Sequence, residues 1–536
     1  MTKKNFLQGA AILGMAGLII KIIGAVYRIP LSNLINDTGM GYFQAGYSFY
    51  ALLIMISTTG LTTSLAKLVS EKRSIGDYRN ANKIFKVAFI GFLIGGIITS
   101  TFMFFGAKYI SETIENTNAY YALIALVPAL FFVPIMSAFR GYLQGTQTMT
   151  PTAISQLVEQ LFRVIVGFYL AYTLLDRGLP MAAGGASFGA SAGAIAGTLV
   201  IFIMYLSKRK EFKKELKNSG NYKEESTSVI IKRIINITVP IMIGSAIVPV
   251  MNSIDAWLIP GRLQLIGFDE KAAVKLYGQL SGMAQTLINF PQVFSMALVM
   301  SLVPAISDAF SLKNYKKIEK MTRSGVRVTL LIGLPAAFGM FILARPIMNL
   351  LYSSQGKATI DSLGQTLEVL AFSVIFLTLV QSLTAIMQGM GKPIIPVRNL
   401  AIGALFKVIL TYTLTGIEGI GIRGAAFSTV IAYLIATILN FISVKKYTKT
   451  YFNIKSVFIK PLISTVIMTL VVWITFNFIN PMLGSKLSTV ISITIGAIIY
   501  GLALLLTGTI TERDFSLLPK GDKIARLLKS IKLLRS

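Results

Sequence analysis

The sequence predicts an all-α polytopic membrane protein with about fourteen transmembrane helices: two parallel six-helix lobes around a central cavity, followed by helices 13 and 14. Three observations carry this expectation. The 536 residues are 54% hydrophobic and only 14% charged, with a mean hydropathy of +0.69, whereas a soluble chain of this size carries about a quarter charged residues. Apolar stretches of about 20 residues, enough to cross a hydrocarbon core at the helical rise, recur almost from end to end. Segments of the second half also repeat those of the first at two nearly constant offsets.

Between polar, Gly-rich and Pro-rich breaks the spans fall near 7–36, 43–66, 87–107, 119–139, 152–175, 182–206, 234–259, 277–307, 326–344, 362–389, 394–415, 420–443, 461–479 and 487–510. The opening Met1-Thr-Lys-Lys leads into an apolar run too long for a signal peptide and without a small-residue cleavage site, so it reads as the first span of the mature protein. The organisation expected is an N-lobe over 1–207, a basic linker over 208–233, a C-lobe over 234–446, helices 13 and 14 over 447–512, and a tail over 513–536. In that tail Ile524, Leu527, Leu528, Ile531 and Leu534 recur at helical spacing among Lys523, Arg526, Lys529 and Lys532. This predicts an amphipathic helix on the inner membrane surface.

The net charge of +29 would suggest nucleic acid in a soluble chain. Here its placement follows topology. With the N-terminus inside, loops on that side hold 38 Lys and Arg against 9 on the other, which fits the positive-inside rule with both termini cytoplasmic. Membrane lipids, and no nucleic acid, are the expected partners of the basic loops.

A shift of 244 aligns Gln144-Gly145 with Gln388-Gly389 and Leu161-Phe162-Arg163-Val164-Ile165 with Leu405-Phe406-Lys407-Val408-Ile409, and a shift of 237 pairs Ser64-Leu65 with Ser301-Leu302 and Tyr78 with Tyr315. The offset covers six spans, so equivalent helices keep their direction. Parallel repeats of this kind enclose a central site that opens alternately to each side.

The chemistry available is narrow. With no Cys and no His, thiol catalysis, disulfides and histidine proton relays are excluded, and no metal or other cofactor is expected. No G-x-x-x-x-G-K-[ST] occurs, since Gly389-Met-Gly-Lys392 lacks the first glycine and is followed by Pro, so ATP coupling within this chain is not expected. Four cations fall well inside spans: Lys21, Arg28, Arg163 and Lys407. Facing lipid they would together cost on the order of 10–14 kcal/mol, so they must be sheltered.

Lys21 and Arg28, seven apart, share a helical face, with Gly24 and Pro30 placed to allow a bend. Glu159 and Arg163 are i, i+4 partners that can neutralise one another. Asp255 is the other central acid. Two readings stay open for each: ion pairs or snorkelling side chains that hold helices together, or a cationic cavity for an anionic substrate, with Glu159 or Asp255 as coupling groups. More cations than acids favours a phosphate-bearing substrate over a cationic drug.

The segments Gly24-Ala-Val-Tyr-Arg-Ile-Pro-Leu31, Gly39-Met-Gly-Tyr-Phe-Gln44, Ser57-Thr-Thr-Gly60 and Ala66-Lys-Leu-Val-Ser-Glu71 resemble the polysaccharide-biosynthesis branch of the multidrug/oligosaccharidyl-lipid/polysaccharide exporter superfamily. Within it the similarity is to the MurJ-type lipid II flippases of the YtgP and stage V sporulation protein B group. The resemblance implies a non-enzymatic transporter in a bacterial plasma membrane. Its implied cargo is lipid II, the undecaprenyl-pyrophosphate-linked peptidoglycan precursor, carried to the outer leaflet. Lys21 stands where that family places an arginine, and Arg28 lies one position beyond the next. Two further basic positions of the family fall near Ile54 and Thr286, leaving Arg163 and Lys407 as candidates to replace them. Helices 13 and 14 would form a groove for the prenyl tail.

Other undecaprenyl-linked glycans, a cation/drug antiporter of the same superfamily, and a scaffold recruiting cell-wall synthesis enzymes are the alternatives. Membrane potential or a monovalent ion is the expected driving force, and a monomer the expected state.

Overall fold

The computed structural model describes residues 3–509, with side chains from Ile12 onward; the amphipathic helix expected over 513–536 lies outside the described residues. The described chain is helical throughout, without strands. In order it forms α1 (Lys3–Ile54), α2 (Gly60–Ser74), α3 (Tyr78–Thr113), α4 (Tyr120–Ala125), α5 (Val127–Gly145), α6 (Thr150–Thr173), α7 (Leu179–Ser207), α8 (Arg209–Lys217) and α9 (Thr227–Leu265). It continues with α10 (Glu270–Tyr277), α11 (Gln285–Ser311), α12 (Tyr315–Ile342), α13 (Ala344–Tyr352), α14 (Lys357–Leu370), α15 (Ser373–Gly389), α16 (Ile394–Thr415), α17 (Ile422–Thr448) and α18 (Lys460–Leu506).

Among the described residues eleven helical stretches are long and apolar enough to cross a membrane, or twelve if α14 and α15, bent by 42°, act as one. Two of the eleven are very long: Ile12–Ser74 runs 63 residues and Lys455–Leu506 runs 52. A straight 63-residue helix would reach about 95 Å, roughly three hydrocarbon cores. The backbone breaks instead, at Asn36 (φ 54, ψ −174) in α1 and at Gly484 (φ 72, ψ 161) in α18. At the first break the Asn36 side chain accepts from the N–H groups of Thr38 and Gly39, at 3.0 and 3.2 Å, and so caps the helix that restarts there. The non-helical residue is thus Asn36, six positions beyond Pro30.

Packing divides the chain into two compact bodies, Met1–Met283 with Thr411–Ile422, and Ala284–Leu410 with Arg423–Ser536. In the first, α7 lies flush on α6 because Gly185, Gly189, Gly193 and Gly197 recur every fourth residue. A Cβ on Gly189 or Gly193 would collide with the carbonyl of Arg163 or Glu159. Without a hydrophobic force between helices in lipid, such small-residue stripes supply the close backbone approach that holds them.

Also in the first body, the basic segment 208–233 is fastened to the turn between α2 and α3. Arg73 makes a two-pronged ion pair with Glu215 (2.9 and 2.5 Å), Lys83 meets Glu224 at 2.7 Å, Lys72 pairs with Glu225, and Arg233 reaches Glu71 at 3.1 Å. The core of the second body gathers Leu302, Ile306, Val326, Leu383 and Ile386 from α11, α12 and α15.

Helix boundaries recur at the two sequence shifts. The helices α3 and α12 begin at Tyr78 and Tyr315, 237 apart, each capped by the preceding residue: Asp77 accepts from Asn80 N–H at 3.2 Å and Asn314 from Lys317 N–H at 3.0 Å. At a shift of 244, α5 and α15 end at Gly145 and Gly389, while α6 and α16 begin at Thr150 and Ile394. A Cβ on Gly145 would come within 2.8 Å of Val69 and 3.0 Å of the Ala66 carbonyl; one on Gly389 would come within 2.9 Å of Ile306 and 3.0 Å of the Val303 carbonyl. Both sets of neighbours are themselves 237 apart, so equivalent contacts rest on equivalent residues.

Candidate functional site: a buried guanidinium cluster

Three buried charged side chains of the first body meet on α6, beside its contact with the α7 glycines. Glu159 sits between two arginines. Its Oε1 accepts from Arg163 Nη2 at 2.8 Å, and its Oε2 accepts from Arg140 Nη1 and Nη2, both at 3.1 Å. The three side chains are 10–19% exposed. The Arg140 guanidinium also donates to Ser155 Oγ from Nε at 3.1 Å and from Nη2 at 2.7 Å, and that hydroxyl donates to the Gly197 carbonyl at 3.0 Å. Ser155 and Glu159, one turn apart, together form a receptor for a planar fork, which suits arginine rather than lysine.

Arg140 corrects the tally of intramembrane cations. The span expected over 119–139 leaves Arg140 among the loop charges. The helix continues to Gly145 and carries Arg140 into the protein.

Arg163 faces outward from this pair. Its Nη1 donates to Tyr47 Oη at 3.2 Å, while its Nε is buried without a hydrogen-bond partner. The Tyr47 ring stacks on Phe43 (5.8 Å) and carries the Arg28 guanidinium 5.8 Å from its centroid, within reach of a cation–π attraction. Tyr27, adjacent to Arg28, lies within electrostatic reach of both Arg28 and Arg163. On the other side, the buried phenol of Tyr277 lies 3.5 Å from Ser48 Oγ and within electrostatic reach of Arg28 and Asp255.

Of the residues singled out in the sequence, Arg28, Glu159 and Arg163 therefore come together around Tyr47 in the first body, and Asp255 lies in the same body, within electrostatic reach of Tyr277. Lys21 is on the same helix as Arg28 with an exposed side chain, and Lys407 is buried on α16 in the second body. Three guanidiniums against two carboxylates leave one positive charge in excess, in surroundings of low dielectric. The arrangement offers charge-assisted donors of the kind that hold an anion. The sequence reading missed Arg140, Ser155 and Tyr47; the signal for the first two was a Ser and a Glu four apart on a span, a polar pair asking for a partner from a neighbouring helix.

A family model described as polysaccharide biosynthesis protein matches residues 6–310, more than half of the chain. The chain belongs to that family. A second model, MatE, matches residues 240–413. Among curated relatives, stage V sporulation protein B of Bacillus subtilis (strain 168) is 28% identical over 461 residues, covering 85% of this chain and 86% of that protein. The lipid II flippase MurJ of the same organism is 29% identical over 507 residues, covering 90% of each. A solved structure of lipid II flippase MurJ in an inward closed conformation superposes with a TM-score of 0.65 at 16% identity, covering 92% of this chain and 97% of that one. The resemblance read from helix 1 and its exit therefore holds for the family: this is a multi-pass membrane transporter of the MOP superfamily, in the group of MurJ and stage V sporulation protein B.

Proposed function

We propose that this transporter flips a lipid-linked saccharide precursor whose phosphate or pyrophosphate is held by the guanidinium cluster, and that the precursor is lipid II. The observation that carries the reading is the sharing of one carboxylate, Glu159, by Arg140 and Arg163 while Arg28 stands beside them over Tyr47. A cation/drug antiporter needs the opposite excess. The likeness to the lipid II flippase MurJ of Bacillus subtilis supports lipid II as the first cargo to test.

In this reading the two kinked helices count as four crossings, which brings the twelve spans to fourteen and leaves both termini on the cytoplasmic side of a bacterial plasma membrane. The duplicated helix boundaries support reading the two lobes as repeats of one unit. Alternating access carries the anionic head group past the cations while the tail stays in lipid, with Lys21 and Lys407 as further anion contacts. A monomer suffices for this cycle, with no nucleic acid partner and no cofactor. Each charge moved across the membrane is worth about 2.3 kcal/mol per 100 mV, so the membrane potential is a sufficient drive, with a monovalent ion at Glu159 or Asp255 as the alternative.

The test is binding of lipid II to the purified protein, compared with a neutral prenyl lipid and a cationic dye. Retention of lipid II alone, lost on Arg28→Ala, supports the proposal. Retention of the dye alone supports the antiporter.

A further inference from the structure

We propose that, given a lipid-linked saccharide as the cargo, the second body holds its sugar hydroxyls on an uncharged face built from side-chain amides of α11 and α15.

Burial defines this face. From Leu377 to Gly389 every residue of α15 is buried except Gln381, Thr384 and Gln388, which recur at i, i+3 and i+7 and so share one side of the helix. On α11 the half-buried Gln285, Asn289 and Gln292 recur at i, i+4 and i+7. Both helices belong to stretches apolar enough to cross a membrane, α11 to Glu270–Ser311 and α15 to the bent pair Lys357–Leu370 and Ser373–Gly389. A helix side that meets lipid is apolar, as on α18, where Leu470, Ile474 and Phe478 are exposed. Amides turned to hydrocarbon would forfeit their hydrogen bonds to water, a cost that keeps polar side chains of a span toward protein or a water-filled cavity. The open side of α15 therefore faces water or a polar ligand.

The two polar stripes meet in a relay. Gln381 Nε2 donates to Gln292 Oε1 at 3.4 Å, and Gln292 Nε2 donates to Asn289 Oδ1 at 2.9 Å. Gln381 Oε1 is buried without a hydrogen-bond partner, although a buried polar atom is ordinarily satisfied. Each amide offers two N–H donors and an acceptor oxygen, and the relay uses one N–H of Gln381 and one of Gln292. Donors and acceptors side by side without charge suit sugar hydroxyls, each of which both donates and accepts; a phosphate is better met by cations. A strut joining α11 to α15 would need only the Gln292–Gln381 contact and does not account for Thr384 and Gln388 continuing along the open side.

The repeat sharpens the contrast with the guanidinium cluster. The shift of 244 pairs Gln144 with Gln388 and Arg140 with Thr384. Where the first body carries a guanidinium on Glu159, the second carries a neutral hydroxyl.

The experiment titrates purified full-length protein with undecaprenyl pyrophosphate and, separately, with the same lipid bearing a disaccharide without a peptide. The wild type should bind the disaccharide lipid more tightly. In the double variant Gln292→Leu with Gln381→Leu both partners of the relay become apolar at similar size, so the melting temperature should stay near that of wild type. Loss of one or two hydrogen bonds should weaken the disaccharide lipid about tenfold and leave undecaprenyl pyrophosphate within twofold. Because the chain contains no Cys, single cysteines report on water access without background. In proteoliposomes Thr384→Cys should react with a water-soluble maleimide, whereas Phe294→Cys, at a 67% exposed apolar site on α11, should not, since the reactive thiolate does not form in lipid.

Equal affinity of the wild type for the two lipids, an unchanged or equal loss for both in the double variant, or a Thr384→Cys that does not react overturns the sugar face while leaving the anion site standing. A disaccharide lipid that binds and is lost in the double variant, with no binding of undecaprenyl pyrophosphate, supports the sugar face and removes the anion site. If neither lipid binds the wild type, the cargo reading fails and the sugar face falls with it.

Discussion

Glu159→Gln is the substitution on which the cluster's electrostatics can be measured. It removes a carboxylate that two guanidiniums share at 2.8 and 3.1 Å, with the side chains of all three residues less than one-fifth exposed. Solvent therefore screens little of the loss. Removing one partner of a buried pair costs about 3–5 kcal/mol. The amide keeps one acceptor oxygen for one of the arginines, so the lower end, about 3 kcal/mol, applies. At roughly 2–4 °C per kcal/mol for domains of a few hundred residues, the melting temperature in detergent should fall by about 6–12 °C. Adding Arg140→Gln should return at least half of that loss, because the second guanidinium no longer lacks a counter-ion; such coupling falls in the range of about 0.5–3 kcal/mol for contacting residues. A melting temperature within 1 °C of wild type, or double-mutant losses that simply add, would refute the shared-carboxylate account. Binding of pyrophosphate should not weaken in Glu159→Gln, since the substitution raises the positive excess; a loss of anion affinity at retained fold would contradict the anion reading.

Three further outcomes follow from the packing. Gly389→Ala and Gly145→Ala should each lower stability by about 1–3 kcal/mol, read as a drop in melting temperature, because each new methyl meets the equivalent side chain, Ile306 or Val69, inside 3.0 Å; a loss in only one would break the equivalence of the repeats. Arg73→Ala should speed tryptic cleavage within 208–224 several-fold, since the two-pronged contact to Glu215 ties α8 to α2; unchanged cleavage would show that the strap is held elsewhere. The Lys83 ammonium beside Glu224 holds that carboxyl below its ordinary range. Its contribution to fastening the segment is present above the unfolded-state value and is lost as the pH falls through the lowered one, so cleavage of the wild type by an acid-active protease such as pepsin should rise on strong acidification, and Lys83→Met should reduce that rise.

The membrane-spanning character and the duplication were legible because both are written in periodicity: hydropathy marks where lipid must be met, and α3, α6, α12 and α16 begin where the two shifts place them. The Glu159–Arg163 pair was legible from its spacing on one helix. Arg140 was not, because a cation at the edge of an apolar run looks the same whether it ends a span or enters the protein. What decides is a partner on another helix, here Ser155 and Glu159, and the only trace of it in the sequence was the spacing of those two on α6. The break in α1 was expected around Gly24 and Pro30, the residues that permit a bend. The non-helical residue is Asn36, where the side chain itself supplies the cap that a restarted helix needs. Tyr47 and Tyr27 carried no signal at all, since an aromatic on an apolar span is ordinarily packing.

The central claim is that a cation excess in this fold receives the phosphate of a lipid-linked cargo. Its most direct test is native mass spectrometry of the purified protein offered lipid II, a neutral prenyl lipid and a cationic dye together, repeated with Arg28→Ala and Lys407→Ala. The account predicts that lipid II is retained selectively by the wild type and lost from both variants. Retention of the dye alone, or retention of lipid II by both variants at wild-type levels, would contradict it.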